Sequence, residues 1–266
     1  MGPLGRTLRW LQTMSGDFDV TVLIAPFPRD EVAGWLPPAV ELAPQSITAA
    51  DQHPTYILLG SERNVYFNGW PIYRFRYHEF ALVVPFTRWR AADHPYRGPF
   101  LYTPLIFVDH PLVSWGGNLM YGFAKTDARF AVDDRRYAVT DLHGNPFAEF
   151  HRHETGAAPD AAARATIAAV MQQPSIAYST RGRYLCSGFD WRLARATITD
   201  AAVDGALIER VLPNVPGRRR PLRLEGTAGL SRGGAFRLRT RWVLSPPRSP
   251  ALDWSPWSAP PPILPA

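Results

Sequence analysis

Short stretches of extended, apolar-rich sequence recur along most of the chain, and this pattern constrains the fold more than any other feature. Strand signals occur at 19–26, 55–60, 76–85, 101–108, 120–131, 136–141, 147–152, 176–186, 192–199, 206–213 and 235–244. Two helices are predicted, a short one over Arg29–Trp35 and a longer one over Asp160–Gln172, with Asp160 as its N-cap. Many short strands with few helices predict an α+β, mostly β fold. The chain is expected to form a mainly antiparallel, closed or nearly closed β-barrel.

The division of the chain into domains follows from length and composition. The 266 residues, 46% of them apolar, suffice for one large domain with a full core. We expect this domain to span residues 1–244. Prolines accumulate from Ser245 onward, so residues 245–266 are predicted to form a proline-rich tail of extended polyproline II backbone.

Composition also argues against several classes of protein. The formal charge is +6, but the arginines are scattered and no zinc-finger spacing or RNA-binding signature accompanies them, which argues against nucleic acid. No run of eighteen apolar residues occurs, and Met1–Met14 has no apolar signal region, so neither a membrane span nor a secretory signal is predicted. A single cysteine, Cys186, excludes an internal disulfide. We expect a buried thiol and a cytoplasmic protein.

One residue type is almost missing: Lys125 is the only lysine beside twenty-eight arginines. A bias in coding composition explains why surface lysines drift to arginine. A lysine that persists is expected where arginine cannot replace it. The two differ most in deprotonation, because a neutral amine is a nucleophile that forms an imine with a carbonyl, whereas guanidinium stays charged. Lys125 is therefore the first candidate for chemistry.

The sequence around this lysine, residues 102–130, carries a recognisable pattern. An apolar strand ends in Phe107-Val108-Asp109, a loop contains Gly117, and Phe123-Ala124-Lys125 follows. This order resembles the acetoacetate decarboxylase family, in which a strand ending in an aliphatic-Asp pair precedes a loop glycine and an aromatic-Pro-Lys segment. The correspondence runs without gaps over 107–126.

Two segments further upstream are also similar to this family. Tyr77-His78-Glu79, followed by an apolar run and Pro85, resembles the family's Tyr-x-Glu segment, and Phe27–Val40 resembles a stretch that leads into a short helix. The resemblance implies the family's barrel fold, no cofactor and assembly into oligomers. It places Lys125 on the Schiff-base lysine and Glu79 in the active site.

The sequence departs from the family pattern at three places. Asn118 and Leu119 stand where the family has Arg-Glu after the glycine, and Thr126 replaces a second lysine. The upstream strand reads Tyr56-Ile57-Leu58-Leu59, where the family carries another acidic residue. We therefore expect a pocket with less charge than that of the decarboxylases.

Lys125 and Glu79 are the predicted catalytic residues. Desolvation would favour the neutral amine, so we expect Lys125 to lie in an apolar cavity that Glu79 also lines. The alternative for Lys125 is an exposed strand residue paired with Asp127, and for Glu79 it is a structural pair with an arginine. The predicted substrate-binding residues are Tyr77, Trp115, Asn118, Met120, Tyr121, Phe123 and Arg29.

Arg29 has a second interpretation, as a solvated arginine at the start of a helix. Asp109 is expected to cap the loop after its strand. The segment His151-x-His153-Glu154 has the residue types of a metal site but no third ligand cluster with recognisable spacing, so a solvated strand end is predicted and no metal.

Two functions remain open at this stage. The first is a lysine-imine-forming enzyme, a carbon–carbon lyase or cyclase, with a small or polyketide-like oxo acid or carbonyl substrate. Decarboxylation, aldol reaction with dehydration, and cyclisation all proceed through such an imine. The second is a barrel that binds a small molecule without covalent chemistry and relies on the shape of its cavity.

Overall fold

A computed structural model describes residues 10–94, 96–208, 212, 219–227 and 233–249. Within these ranges the chain forms one mostly β domain. No helix in the described ranges is both long enough and apolar enough to cross a membrane. The helical segments are α1 Arg29–Ala33, α2 Pro111–Gly116, a π-helical turn Gly117–Tyr121, α3 Ala161–Met171 and a 3-10 turn Leu193–Arg195.

The strands found in the described ranges belong to one hydrogen-bonded sheet. They are β1 Met14–Pro28, β2 Val40–Leu42, β3 Gln52–Phe67, β4 Trp70–Trp89, β5 Phe100–Val108, β6 Lys125–Asp127, β7 Arg129–Val132, β8 Arg136–Thr140, β9 Pro146–Glu154, β10 Ser175–Tyr178, β11 Tyr184–Ser187, β12 Phe189–Asp190, β13 Thr197–Ile208, β14 Arg219–Glu225 and β15 Gly234–Leu244.

The strand order is β11-β10-β5-β4-β3-β1-β15-β13-β9-β8-β7, with β2, β6, β12 and β14 attached to β4, β5, β15 and β13 respectively. Two pairs, β10–β5 and β5–β6, are parallel, and the other described pairs are antiparallel. The mostly β, mainly antiparallel prediction is confirmed. The end strands β11 and β7 do not pair with each other in the described ranges, so closure of the barrel is not confirmed.

The long central strands bury both of their faces. Because side chains alternate along a strand, Val20, Val22 and Ile24 of β1 enter one apolar cluster, whereas Leu23 and Ala25 enter a second cluster on the other face. The first cluster surrounds the cavity described below. This two-sided burial explains why the sequence of β1 is nearly continuous in apolar residues.

A glycine on β3 shows how tightly the central strands pack. Gly60 lies opposite Val20 on one side and Glu79 on the other. A Cβ atom at this position would collide with the buried ring of Phe18. The hydroxyl of Tyr137 lies 3.1 Å from the carbonyl oxygen of Gly60 and 2.7 Å from that of Glu79, as a donor to both. The backbone at Glu79 is therefore held both by its pairing with Gly60 and by the hydroxyl of Tyr137.

The longer helix was predicted correctly, since α3 lies within the expected range and Asp160 accepts a hydrogen bond of 2.8 Å from the amide of Ala163. The prediction of extended backbone over 120–131 was wrong at its start. Residues 117–121 form the π-helical turn, and Gly122 ends it in the left-handed conformation with φ 71°. The glycine releases the chain into β6.

Three other predictions of extended structure need correction or lie partly outside the described residues. The segment 176–186 is a hairpin of two strands, and 192–199 contains a 3-10 turn before β13. The predicted strand 206–213 includes residues outside the described ranges, as does most of the predicted tail. At the start of the tail, the amide of Arg248 donates to the carbonyl of Cys186, whose thiol is buried as expected.

Candidate active site

The lone lysine is an interior residue. Its Nζ atom lies 2.7 Å from Oε2 of Glu79, and the two side chains are only 9% and 12% exposed. The ammonium also lies 5.3 Å from the centre of the Tyr77 ring, within the range of a cation–π contact. The interpretation of Lys125 as an exposed residue paired with Asp127 is therefore wrong.

The backbone of Lys125 is held by the segment that precedes it. Strand β6 pairs with β5 in parallel, which puts Lys125 beside Ile106. The side-chain amide of Asn118 bonds in both directions, since its Oδ1 accepts from the Lys125 amide at 2.6 Å and its Nδ2 donates to the Lys125 carbonyl at 2.9 Å. Ser114 Oγ adds a longer contact of 3.3 Å to the same carbonyl. Three polar contacts therefore fix this short strand.

A glycine leaves room for the lysine stem. A Cβ atom built on Gly117 would lie 2.7 Å from Cδ and 2.9 Å from Cε of Lys125, closer than packed carbon atoms allow. The neighbouring Gly116 has open space at the same position. Both residues are right-handed helical, so the requirement for glycine at 117 comes from the lysine and not from backbone conformation.

Lys125 and Glu79 line one cavity of about 310 Å³. Its walls are mostly apolar and come from β1, β3, β4, β5, α2, the π-helical turn, β6, β10, β12, β15 and the residues beside them. The lining residues are Met14, Tyr56, Leu58, Glu62, Val65, Phe67, Phe75, Tyr77, Glu79, Ala81, Val83, Leu101, Thr103, Ile106, Leu112, Val113, Trp115, Gly116, Gly117, Met120, Tyr121, Phe123, Lys125, Ser175, Phe189, Trp191, Trp242 and Leu244.

A second carboxyl group in this cavity was missed in the sequence. Glu62 on β3 is buried and accepts a hydrogen bond of 2.6 Å from the indole Nε1 of Trp242. Burial, reinforced by the negative charge of Glu79, raises the pKa of Glu62 well above its ordinary value, although the Trp242 bond and Lys125 oppose the shift. Burial in the cavity that holds the ion pair therefore favours the protonated, uncharged form of this acid.

The expectation that the upstream strand lacks an acidic residue is therefore wrong. Strand β3 continues beyond Leu59 to Phe67. The alternation of Tyr56 and Leu58 on the cavity face places Glu62 on that face as well. Following this period four residues further would have found it.

Comparison of the fold with solved structures identifies several similar enzymes. The chain superposes on an acetoacetate decarboxylase-like enzyme from Sphingomonas wittichii RW1 (TM-score 0.58, 12% identity, covering 94% of this chain and 97% of that one). It also matches the enduracididine biosynthesis enzyme MppR (TM-score 0.57, 13%, covering 92% and 90%) and acetoacetate decarboxylase from Legionella pneumophila (TM-score 0.55, 13%, covering 88% and 86%).

The chain has the acetoacetate decarboxylase-like fold. The resemblance seen around Lys125 is thus confirmed at the level of the fold. No family model matches the sequence, and no curated protein does so either. This chain is therefore a divergent example of the fold, and the contents of its cavity have to be interpreted from its own residues.

Five of the predicted substrate-binding residues line the cavity of this acetoacetate decarboxylase-like domain. Tyr121 and Phe123 stack with their ring centres 6.0 Å apart and nearly parallel, and Tyr77 lies beside the lysine. Trp115 and Met120 are 65% and 41% exposed, so they lie at the mouth. Their predicted location was right, although Met120 and Tyr121 reach it from a helical turn.

The remaining two predicted residues lie outside the cavity. Asn118 bonds the backbone of Lys125, so it positions the lysine and does not line the cavity. Arg29 begins α1, where its amide donates to the carbonyl of Asp51. Arg29 does not line the cavity, so its assignment as a substrate-binding residue is wrong. β1 ends at Pro28 and Arg29 begins α1, which fits the alternative of a helix-start arginine.

The phenols of the cavity are neutral groups. Burial raises the pKa of Tyr77, Tyr121 and Tyr56 above the ordinary value. The nearby carboxyl groups of Glu62 and Glu79 add to the effect at Tyr77. These side chains can offer a hydroxyl proton or an apolar ring to a ligand, but no charge.

Asp109 is held on the outer side of the same strands. Both of its oxygens lie 2.7 Å from donors of His78, one the backbone amide and the other the ring Nδ1. Burial opposes ionisation, but these hydrogen bonds and the imidazole charge hold the pKa of Asp109 below its ordinary value. These contacts join the residue after β5 to β4, the neighbouring strand, and neither is made to the loop that follows, so they do not support the expected capping of that loop.

The His151-x-His153-Glu154 segment ends β9. Glu154 pairs with Arg237 and Arg239. Among the described residues, no three His, Cys, Asp or Glu side chains come together in a way that could hold a metal ion.

Substitution of Gly117 tests the packing of the lysine. We expect Gly117→Ala to lower the free energy of unfolding by about 1–3 kcal/mol, because the new methyl group overpacks against the Lys125 stem. It should also speed acetylation of Lys125 by acetic anhydride, followed by mass spectrometry, since the amine is pushed away from Glu79. Gly116→Ala is the matched control and should do neither. Equal behaviour of the two variants would contradict the packing found here.

The second prediction concerns the pH dependence of stability. The pKa of Glu62 is raised in the folded protein, so above its ordinary value of 4.5 the unfolded chain loses this proton first and stability falls as pH rises. Glu62→Gln should remove this slope, of at most about 1.4 kcal/mol per pH unit.

Urea denaturation between pH 5 and 8 measures the difference. Wild type and Glu62→Gln should be similarly stable at the acidic end, and the variant should become progressively more stable than wild type toward neutral pH. Glu225→Gln, at an exposed position on β14, is the control and should track wild type. Parallel curves for Glu62→Gln and wild type would show that Glu62 ionises normally.

Proposed function

We propose that this protein is a lysine-imine-forming enzyme that acts on a small carbonyl compound. The observation that carries the proposal is the Lys125–Glu79 pair, 2.7 Å apart and almost fully buried in the wall of an apolar cavity. A buried charge pair is a weak source of stability, because desolvation offsets much of its Coulomb attraction. Its location against a cavity of ligand size points to chemistry.

The pair supplies the proton transfers that imine formation needs. Glu79 takes a proton from the Lys125 ammonium, and the neutral amine adds to the carbonyl carbon. A proton then moves from the added nitrogen to the alkoxide oxygen and gives a carbinolamine. Glu79 then returns that proton to the hydroxyl group, which leaves as water. The products are an iminium ion on Lys125, the Glu79 carboxylate and one water molecule, so atoms and charge balance. The first of these transfers takes place over the hydrogen bond from Nζ of Lys125 to Oε2 of Glu79.

The iminium ion is an electron sink for the adjacent carbon. Loss of carbon dioxide or of a proton from that carbon yields an enamine, and both lead to carbon–carbon lyase or cyclase chemistry. Glu62, uncharged and in the same cavity, can donate a proton to a developing oxyanion. In this proposal Tyr77, Trp115, Met120, Tyr121 and Phe123 enclose the substrate.

The similar structures support this class of reaction. Two of them are acetoacetate decarboxylase or a like enzyme, and MppR was solved with the condensation product of pyruvate and imidazole 4-carboxaldehyde. Condensation and decarboxylation are thus both associated with proteins of this fold. In this proposal, either reaction would begin at Lys125.

Reductive trapping tests the proposal. We expect intact mass spectrometry to find an adduct on Lys125 after incubation with sodium cyanoborohydride and at least one of pyruvate, acetoacetate, pentane-2,4-dione and benzaldehyde. The α-amine is the other amine of the chain, and peptide mapping separates the two. Lys125→Arg should keep the fold and lose the adduct. Glu79→Gln should slow trapping about 10²-fold or more, because the proton shuttle is gone.

Absence of a Lys125 adduct with every compound would reject the imine. If the same compounds still bound without forming an adduct, the cavity would work by shape, as in the second function considered from the sequence.

We also propose that the chain self-associates. The predicted proline-rich tail lies mostly outside the described residues, so it supplies no argument for association. Large apolar side chains nevertheless stand exposed elsewhere, with Trp70 at 74%, Ile72 at 93%, Tyr73 at 59% and Trp115 at 65%. A monomeric protein rarely exposes several large apolar side chains of this kind to solvent.

Light scattering at micromolar concentration measures the assembly. We expect a mass of at least twice the 29.8 kDa of the chain. A mass equal to that of one chain would contradict association.

A further inference from the structure

The charges that line the cavity limit what can enter it. Among the described residues of its wall, Lys125 is the only cation, and it is already paired with Glu79. Glu62 is a second acidic group. The other polar side chains of the wall are neutral phenols, hydroxyls and indoles. Before any ligand binds, the only positive charge of the described wall is therefore already balanced by the carboxylate of Glu79.

A substrate carboxylate would be poorly accommodated here. On leaving water, the carboxylate would need a cation or several hydrogen-bond donors to replace its hydration shell. The one cation of the wall is the group that has to become a neutral nucleophile, and a new anion would face the Glu79 carboxylate. Arg29, the arginine once expected to meet a substrate carboxylate, lies outside the cavity.

The walls instead suit a flat apolar body. The rings of Trp242, Phe189 and Trp191 follow one another with centre distances of 5.5 and 4.5 Å, and Phe18 stacks on Trp191 at 5.5 Å. Tyr121 and Phe123 form the parallel pair described above. Aromatic walls of this kind favour rings and unsaturated chains through stacking and burial of apolar area.

We infer that the substrate is a neutral, apolar aldehyde or ketone, aromatic or unsaturated, and not an oxo acid. This inference rests on the proposed imine function and narrows it. Decarboxylation needs a carboxylate on the substrate, so it is removed from the possible reactions. Aldol-type condensation, its reversal, dehydration and cyclisation remain.

The remaining reactions balance with the groups in the cavity. Glu79 takes the proton from the carbon next to the iminium and leaves an enamine. The enamine carbon attacks a second carbonyl, in the same molecule or in another, and a carbon–carbon bond forms. The resulting oxyanion takes this proton back from Glu79, which becomes a carboxylate again. Addition of water to the iminium releases the product and Lys125.

A matched pair of aldehydes tests the inference. We expect cyanoborohydride to trap 4-methylbenzaldehyde on Lys125 at least about tenfold faster than 4-carboxybenzaldehyde, since the second places a carboxylate among acidic groups in an apolar cavity. Each rate is divided by the rate with an α-blocked lysine in solution, which removes the intrinsic reactivity of the aldehyde. The two aldehydes are similar in length and shape, so charge is the variable.

A second experiment adds a cation to the wall. Thr103 on β5 lines the cavity. It lies three residues before Ile106, the strand partner of Lys125, and three residues span about 10 Å along a strand. In Thr103→Arg the corrected trapping rate of 4-carboxybenzaldehyde should rise at least about tenfold relative to Thr103→Gln, a neutral control of similar bulk. Circular dichroism checks that both variants are folded.

The outcomes separate this inference from the proposed function. Equal trapping of both aldehydes, preference for the carboxylate, or no gain in a folded Thr103→Arg would overturn the inference while leaving an imine-forming lysine. Trapping of pyruvate or acetoacetate at rates that match or exceed those of the neutral compounds would also overturn it. No adduct on Lys125 with any compound would reject the imine itself, and the inference with it.

Discussion

The buried ion pair between Lys125 and Glu79 is the interaction around which the cavity is organised. Moving a carboxylate and an ammonium out of water is costly, and one partner without the other would be a strongly unfavourable buried charge. At 2.7 Å the two groups satisfy each other while the ring of Tyr77 lies against the ammonium. The surrounding wall is otherwise apolar, so the pair is where a polar ligand atom would bind.

Several neighbouring features support this pair. Gly117 leaves space for the lysine stem, Asn118 bonds the lysine backbone on both sides, and Tyr137 bonds the backbone of Glu79 from below the sheet. Such support limits the motion of both groups, which reactions with short proton transfers require. Glu62 lines the same cavity, where burial raises its pKa and so favours its uncharged form.

Sequence reasoning worked best where a pattern was long or a residue was unique. The alternation on β4 placed Tyr77 and Glu79 on one face, and the single lysine drew attention to position 125. It missed Glu62 because the predicted strand ended at residue 60. It misplaced Arg29 because a similar position in the sequence does not guarantee a similar position in space. The extended backbone assumed for Met120 was wrong, since a π-helical turn has no simple sequence period.

The sequence by itself determined the mostly β class, the central strands, helix α3 and the residue types available for an imine. These follow from local alternation, from capping at Asp160 and from counting a residue type, all of which are properties of the chain. The tertiary structure alone decided that Lys125 meets Glu79, forty-six positions away in the sequence. It also decided that Glu62 and Trp242, which bond each other, lie beside this pair. Strand register and the crossing of distant segments set those distances, and no local pattern encodes them.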